Sequence, residues 1–219
     1  MNDWLTKILE NPSLRLMGHG QRLDDRNLGL GWLYYGLTRA LRAKTVVVIG
    51  SYRGFAPLVF ARALADNLEN GTVYFIDPSF VNDFWKNPQA VQTYFASFGS
   101  DNIRHFLMTT QQFIGTQMCQ SLRSVDIVFV DGYHSEEQAR FDYQAFRERL
   151  APNGLVQFHD SIHAMTSQIY GANRSYEHRV KEFIETLKQD RALQVFDLPY
   201  AQGVTLVRRA EIGATPPGP

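Results

Sequence analysis

From residue 45 onward, short β-branched or aromatic runs alternate with segments whose apolar residues recur at helical spacing. No other feature constrains the fold as tightly. The runs are TVVVIG, GTVYFID, NIRHFLM, VDIVFVD and GLVQFHD, separated by helix-like stretches, then ALQVFDL and GVTLVRRA, joined only by PYAQG. Strand–helix alternation demands a parallel sheet with helices on both faces, because each parallel step needs a crossover. The last link is too short for a crossover, so the final two strands are antiparallel neighbours. The expected fold is therefore α/β, a Rossmann-like seven-stranded sheet, mostly parallel with an antiparallel last strand.

The remaining segments fall around this core. Residues 1–44 read as an N-terminal helical extension, 45–210 as the sheet domain and 211–219, EIGATPPGP, as a disordered tail. Lys plus Arg and Asp plus Glu both count 22, a formal net charge of zero. That balance argues against nucleic acid as a partner, whose binding rests on neutralising phosphates. The most apolar stretch, LGLGWLYYGLTRALRA, contains Arg39 and Arg42 and is too short to span a bilayer, so no membrane association is expected. One cysteine, Cys119, excludes an intrachain disulfide framework. No signal peptide opens the chain, and a cytoplasmic location follows as the expectation. The apolar extension leaves a homodimer open.

In open parallel sheets, ligands bind beyond the carboxyl ends of the strands. The first strand ends in Gly50-Ser51-Tyr52-Arg53-Gly54, the second in Asp77, the third near Thr109 and Thr110, the fourth in Asp131 and the fifth in His159-Asp160. Gly50 and Gly54 suit a tight turn and a close backbone approach to a ligand. Tyr52 stands where a dinucleotide site has its middle glycine, which leaves less room for a pyrophosphate. Asp77 lies 27 residues beyond Gly50, in place to accept from ribose hydroxyls; a turn aspartate before Pro78 is the plainer alternative. No GxxxxGK[ST] motif occurs.

The second constellation is Asp131, His134, His159, Asp160 and His163. Strands four and five are expected to be neighbours, which brings Asp131 and Asp160 together at their tips. Ser135 and Gln138 fit a capping box for the next helix and place His134 just before it. An imidazole near pKa 6.5 matches a general base. Paired carboxylates could instead hold Mg²⁺, with His159 completing the set because Ser161 is a weak third ligand. His105 and His178 are expected to have no role, His19 in GHGQRLDD to sit in a solvated loop, and Trp85 to be a core residue.

VVVIGSYRG, VYFIDPSF, the run DGYHSEEQARFDYQAFRERLAPNGLVQFHD and GVTLVRR together resemble a class I S-adenosylmethionine-dependent methyltransferase. More narrowly, they are similar to the small-molecule O-methyltransferases that include macrocin-type sugar methyltransferases and cephalosporin-hydroxylase-like proteins. The resemblance covers roughly residues 45–208. It implies S-adenosylmethionine as cofactor, a small-molecule hydroxyl as acceptor, and Gly50, Ser51, Tyr52 and Gly54 around the methionine moiety. It places ribose on Asp77 and adenine near Thr110. The similarity of this region to metal-dependent catechol-type O-methyltransferases also implies His134 as the base beside Asp131, and Asp131 and Asp160 as ligands of a metal, a set that His159 would complete. Val48 replaces the acid that this family usually carries in the first strand. Two other readings use the same residues: a metal-dependent hydrolase or non-haem iron enzyme built on Asp131, His134, His159 and Asp160, and a non-catalytic binding protein of the cofactor fold.

Overall fold

The computed structural model describes residues 2–15 and 18–210, so the tail read as disordered lies outside the described residues. The extension holds helices α1 (Asn2–Glu10), α2 (Pro12–Arg15) and α3 (Leu30–Ala40). Then β1 (Thr45–Ile49), α4 (Phe55–Asn67), β2 (Thr72–Ile76), α5 (Pro88–Ser97) and β3 (Ile103–Phe106) follow in alternation. The segment QQFIGTQMCQSL forms two short helices rather than one, α6 (Thr110–Phe113) and α7 (Gln117–Ser121), because Thr116 caps a new start. Next come β4 (Val125–Val130), α8 (Glu136–Arg147) and β5 (Leu150–His159). A hairpin of β6 (Met165–Ser167) and β7 (Tyr176–His178) precedes α9 (Val180–Leu187), β8 (Leu193–Leu198) and β9 (Val204–Arg209).

Seven strands form one sheet in the order β3-β2-β1-β4-β5-β9-β8. All pairs from β3 to β5 are parallel, and β9 runs antiparallel to both β5 and β8. The strand order reverses between β1 and β4, the place where a ligand crevice opens in such sheets. The run TVVVI explains why β1 lies at the centre. Successive side chains point to opposite faces; Val46 and Val48 enter one core with α1, α3, α4 and α5, while Val47 and Ile49 enter the other with α6 to α9. The extension uses its own apolar face: Trp4, Leu5, Ile8 and Leu9 are buried in the first core.

SYEHRVKEFIETLKQD, the helix-like stretch between GLVQFHD and ALQVFDL, is not one helix. Its first part pairs as β7 with β6, Met165 opposite His178, and the helix starts only at Val180. The pattern misled because Tyr176 and His178 are apolar-facing neighbours of the site, not of the helix core.

At the β1 tip, Gly50 has φ +74°, and a Cβ there would meet Gly132 Cα at 2.4 Å and the Asp131 carbonyl at 2.5 Å. The ends of β1 and β4 are therefore in backbone contact, which only glycine permits. Gly50→Ala should lower unfolding free energy by about 3 kcal/mol or more, from overpacking plus the left-handed backbone, as read by urea denaturation. Wild-type stability in that variant would mean that the two tips separate freely.

Candidate active site

A cavity of about 440 Å³ opens at the carboxyl ends of β1, β2, β4 and β5. Gly50, Ser51, Tyr52, Asp77, Thr110, Asp131, His134, His159 and Asp160 all line it. Gly54 does not: with a φ of +85° it precedes α4, and a Cβ there would face Trp85 and Phe95. Asp77 is tied to the first turn, since Oδ2 accepts from Ser51 N at 3.1 Å and Oδ1 from Ser79 N at 2.7 Å. Burial raises its carboxyl pKa, and those two amides work against the rise. Ser51 Oγ is buried without a hydrogen-bond partner. His105 lies behind this end, its Nε2 3.2 Å from the Asp77 carbonyl oxygen.

At the other end Asp131 and Asp160 approach through His159. His159 Nδ1 donates to Asp131 Oδ1 at 3.0 Å and lies 3.1 Å from Asp160 Oδ1. Burial opposes charge on this ring, but Asp131 and then Asp160 outweigh it and raise its pKa. Asp160 sits in the left-handed region at φ +51°, a conformation that few non-glycine residues adopt and that turns its carboxylate back over the cavity. Despite its burial, Asp160 is held below the usual carboxylate range by His178, His159 and His134. His134 Nε2 stands 3.6 Å from Asp160 Oδ2 and 3.8 Å from Asp131 Oδ1. Burial lowers its pKa against those two acids, so the ring is neutral at pH 7.

Two histidines join this cluster that sequence reasoning set aside. His19 is fully buried, not solvated. Its Nδ1 lies 3.1 Å from the Tyr34 hydroxyl, its ring stacks on Phe55, and its Nε2 is 3.9 Å from Asp131 Oδ2. Burial, and then His159, drive its pKa well below the ordinary value. His178 comes from β7, stacks on His134 at 4.3 Å and places Nδ1 3.4 Å from Asp160 Oδ2. Neither of its ring nitrogens makes a hydrogen bond. His163, by contrast, does not line the cavity. The only signals for His19 were the flanking glycines of GHG, both of which have positive φ. Trp85 is a core residue, as expected.

Residues 47–161, more than half of the chain, match a family described as Methyltransferase domain. The chain belongs to that family. Solved structures with the same fold include a Corynebacterium glutamicum protein at TM-score 0.67 and 17% identity, covering 98% of this chain and 93% of its own. The O-methyltransferase TomG of Streptomyces achromogenes, solved with SAM, scores 0.65 at 15% identity over 96% and 91%. The Bacillus cereus O-methyltransferase in complex with SAH scores 0.66 at 14% identity over 94% and 91%. In sequence, protein y4gI of Sinorhizobium fredii is 26% identical over 147 residues, 59% of this chain. Those residues span only 15% of that relative's length.

In this member of the methyltransferase-domain family, α8 carries one more acid of the cavity wall. Ser135 caps the helix as expected, accepting from Gln138 N at 3.1 Å. The reciprocal half of the capping box is missing, because Gln138 Oε1 accepts instead from Gln111 Nε2 at 2.9 Å, while its Nε2 donates to Asp142 Oδ1 at 2.8 Å. Asp142 Oδ2 has no partner; the Thr110 hydroxyl favours the ionised form but makes no hydrogen bond of normal geometry to it. Burial pushes this carboxyl up from 3.8 to about 7. A raised acid prefers its proton in the folded state, so its ionisation costs stability progressively as pH rises from about 4 to about 7, and fully above that. Asp142→Asn should therefore be more stable than wild type at pH 8, by as much as about 4 kcal/mol, and near parity at pH 4. Denaturant midpoints at the two pH values measure this, and equal gains at both would refute it.

Proposed function

We propose that this methyltransferase moves the methyl group of S-adenosylmethionine to a hydroxyl oxygen of a small molecule. The observation that carries the reading is one continuous cavity with Ser51 and Asp77 at one end and the Asp131–His134–His159–Asp160 cluster at the other. The residues fit the cofactor. Asp77 retains acceptor capacity for ribose hydroxyls, and the orphaned Ser51 Oγ has a hydroxyl to offer the methionine group. Cofactor-bound O-methyltransferases with this fold support the assignment.

In the proposed step the acceptor oxygen attacks the methyl carbon in line with the departing sulfur. The O–C bond forms, the C–S bond breaks with its electron pair going to sulfur, and S-adenosylhomocysteine leaves. The acceptor's proton passes to His134, which burial keeps neutral and ready to accept it. His159 keeps the carboxylate of Asp131 fixed beside that base. Asp131, His159 and Asp160 each offer one ligand atom within 4.8 Å of the others, and Asp160 Oδ1 is buried without a hydrogen-bond partner, so the three fit a divalent cation. Such a cation would act as a Lewis acid that lowers the acceptor's pKa. An imidazole among the donors suits a transition ion better than Mg²⁺, which prefers oxygen ligands and water. A hydrolase or non-haem iron role for the same cluster leaves the Ser51–Asp77 end without a purpose.

Calorimetry with S-adenosylhomocysteine tests the cofactor end. Asp77→Ala should weaken binding by about 1.5–3 kcal/mol, the cost of losing hydrogen bonds to a charged group. Unchanged affinity would place the ribose elsewhere. His134→Ala should lower kcat by roughly 10²–10⁴ while leaving that affinity intact.

A further inference from the structure

Among the described residues, the cavity holds two sets of donors, and Asp160 belongs to both. Its Oδ1 faces His159 Nδ1 at 3.1 Å, and that nitrogen already donates to Asp131 at 3.0 Å. Its Oδ2 faces the other way, 3.6 Å from His134 Nε2 and 3.4 Å from His178 Nδ1. His134, Asp160 and His178 each offer one ligand atom within 4.8 Å of the others. No hydrogen bond spans this second set: neither nitrogen of His178 has a partner, and 3.6 Å is too long for one from His134. His178 is only 5% exposed, so bulk water does not satisfy those nitrogens either. A buried imidazole with two idle nitrogens beside a carboxylate is costly unless something else uses it.

The spacing indicates which ion would. Donors about 2.1 Å from a tetrahedral ion lie roughly 3.4 Å apart, whereas an octahedral ion draws neighbouring donors to about 3.0 Å. The second set has the wider spacing, and two imidazoles with one carboxylate are donors that zinc accepts. All three residues line the cavity, which leaves a fourth position open to it. One adjustment is needed. His134 and His178 lie nearly parallel, 16° apart at 4.3 Å, and parallel stacked rings cannot both aim a lone pair at one ion. His178 is the ring able to turn about its Cβ–Cγ bond, since no hydrogen bond holds it. We infer that His134, His178 and Asp160 form a site for a tetrahedral transition ion of the zinc class. The ion ties β7 to the loop after β4 and to the end of β5. Resting on the O-methyltransferase reading above, it also takes the lone pair that His134 needs as base, so the site is inhibitory.

Calorimetry with Zn²⁺ on metal-stripped protein tests this. Asp131→Asn, which alters only the other set, should weaken Zn²⁺ binding by no more than about tenfold, while His178→Phe and His134→Gln should each weaken it by about a hundredfold or more. Phenylalanine keeps the stack on His134, so metal-free His178→Phe should unfold at the wild-type urea midpoint, which separates a lost ligand from a lost fold. Co²⁺ in place of Zn²⁺ should show the intense visible absorption of a four-coordinate ion, and His178→Phe should abolish it. In nuclear magnetic resonance spectra, Zn²⁺ should shift the ring nitrogens of His134 and His178 together. Equal Zn²⁺ affinity in wild type and His178→Phe overturns the inference, as does a loss confined to Asp131→Asn, which puts the ion on the other set. No binding by wild type overturns it as well. None of these readings needs cofactor or acceptor, so their failure leaves the O-methyltransferase reading standing. Failure to bind S-adenosylhomocysteine strikes that reading and the inhibitory role, not the ion site.

Discussion

Two carboxylates, Asp131 and Asp160, share a nearly dry space at the tips of adjacent strands, and much of the surrounding structure answers that repulsion. Like charges about 4 Å apart cost roughly 4 kcal/mol at the effective dielectric of a protein surface, and more when buried deeper. The chain offsets this through His159, whose charged form both acids favour, and sets three further imidazoles around the pair. His159 comes from β5 itself, His134 from the loop after β4, His178 from the hairpin and His19 from the N-terminal extension. The extension and the hairpin thereby reach the sheet tips through His19 and His178.

That arrangement explains what could be read in the sequence and what could not. Strand runs such as TVVVI and VDIVFV declare themselves because both faces are buried, and the residues after them necessarily gather where parallel strands end. Asp77, Asp131, His159 and Asp160 were legible for that reason. His19 and His178 were not, because each reaches the cluster from a segment whose own pattern is weak. Three residues of β7 cannot show a periodicity, and His19 is placed by a glycine-flanked loop instead of by any helix or strand. Gly54 is a different case. Its left-handed φ was legible, but whether the space beside it belongs to a ligand or to Trp85 depends on where α5 packs.

Asp142 shows a different trade. Nothing in the fold requires an acid there: its neighbours Ala139, Tyr143 and Phe146 pack well, and one of its oxygens is unpartnered. A buried group that prefers its proton near neutral pH weakens the folded state, and such costs concentrate at functional sites. The sequence run from Asp131 to Asp142 thus spans two kinds of acid. One is stabilised by histidines, the other is held by a single glutamine.

The charge of the cavity also bears on the direction of the proposed reaction. S-adenosylmethionine carries a sulfonium cation that its product lacks, so acid-lined walls hold substrate more firmly than product and favour exchange after each turnover. Unscreened, the same acids would hinder the chemistry. They would stabilise the cationic ground state more than a transition state in which the sulfonium charge is already dispersing, and only interactions that strengthen toward the transition state speed the step. Pairing Asp131 and Asp160 with imidazoles reduces that field close to the reacting atoms. Asp77, nearer the far end and bound only by backbone amides, keeps its attraction for the cofactor where it does not oppose methyl transfer. His159 therefore does two jobs that the fold could not separate: it permits two acids to be buried together, and it weakens their hold on the methyl donor in its ground state.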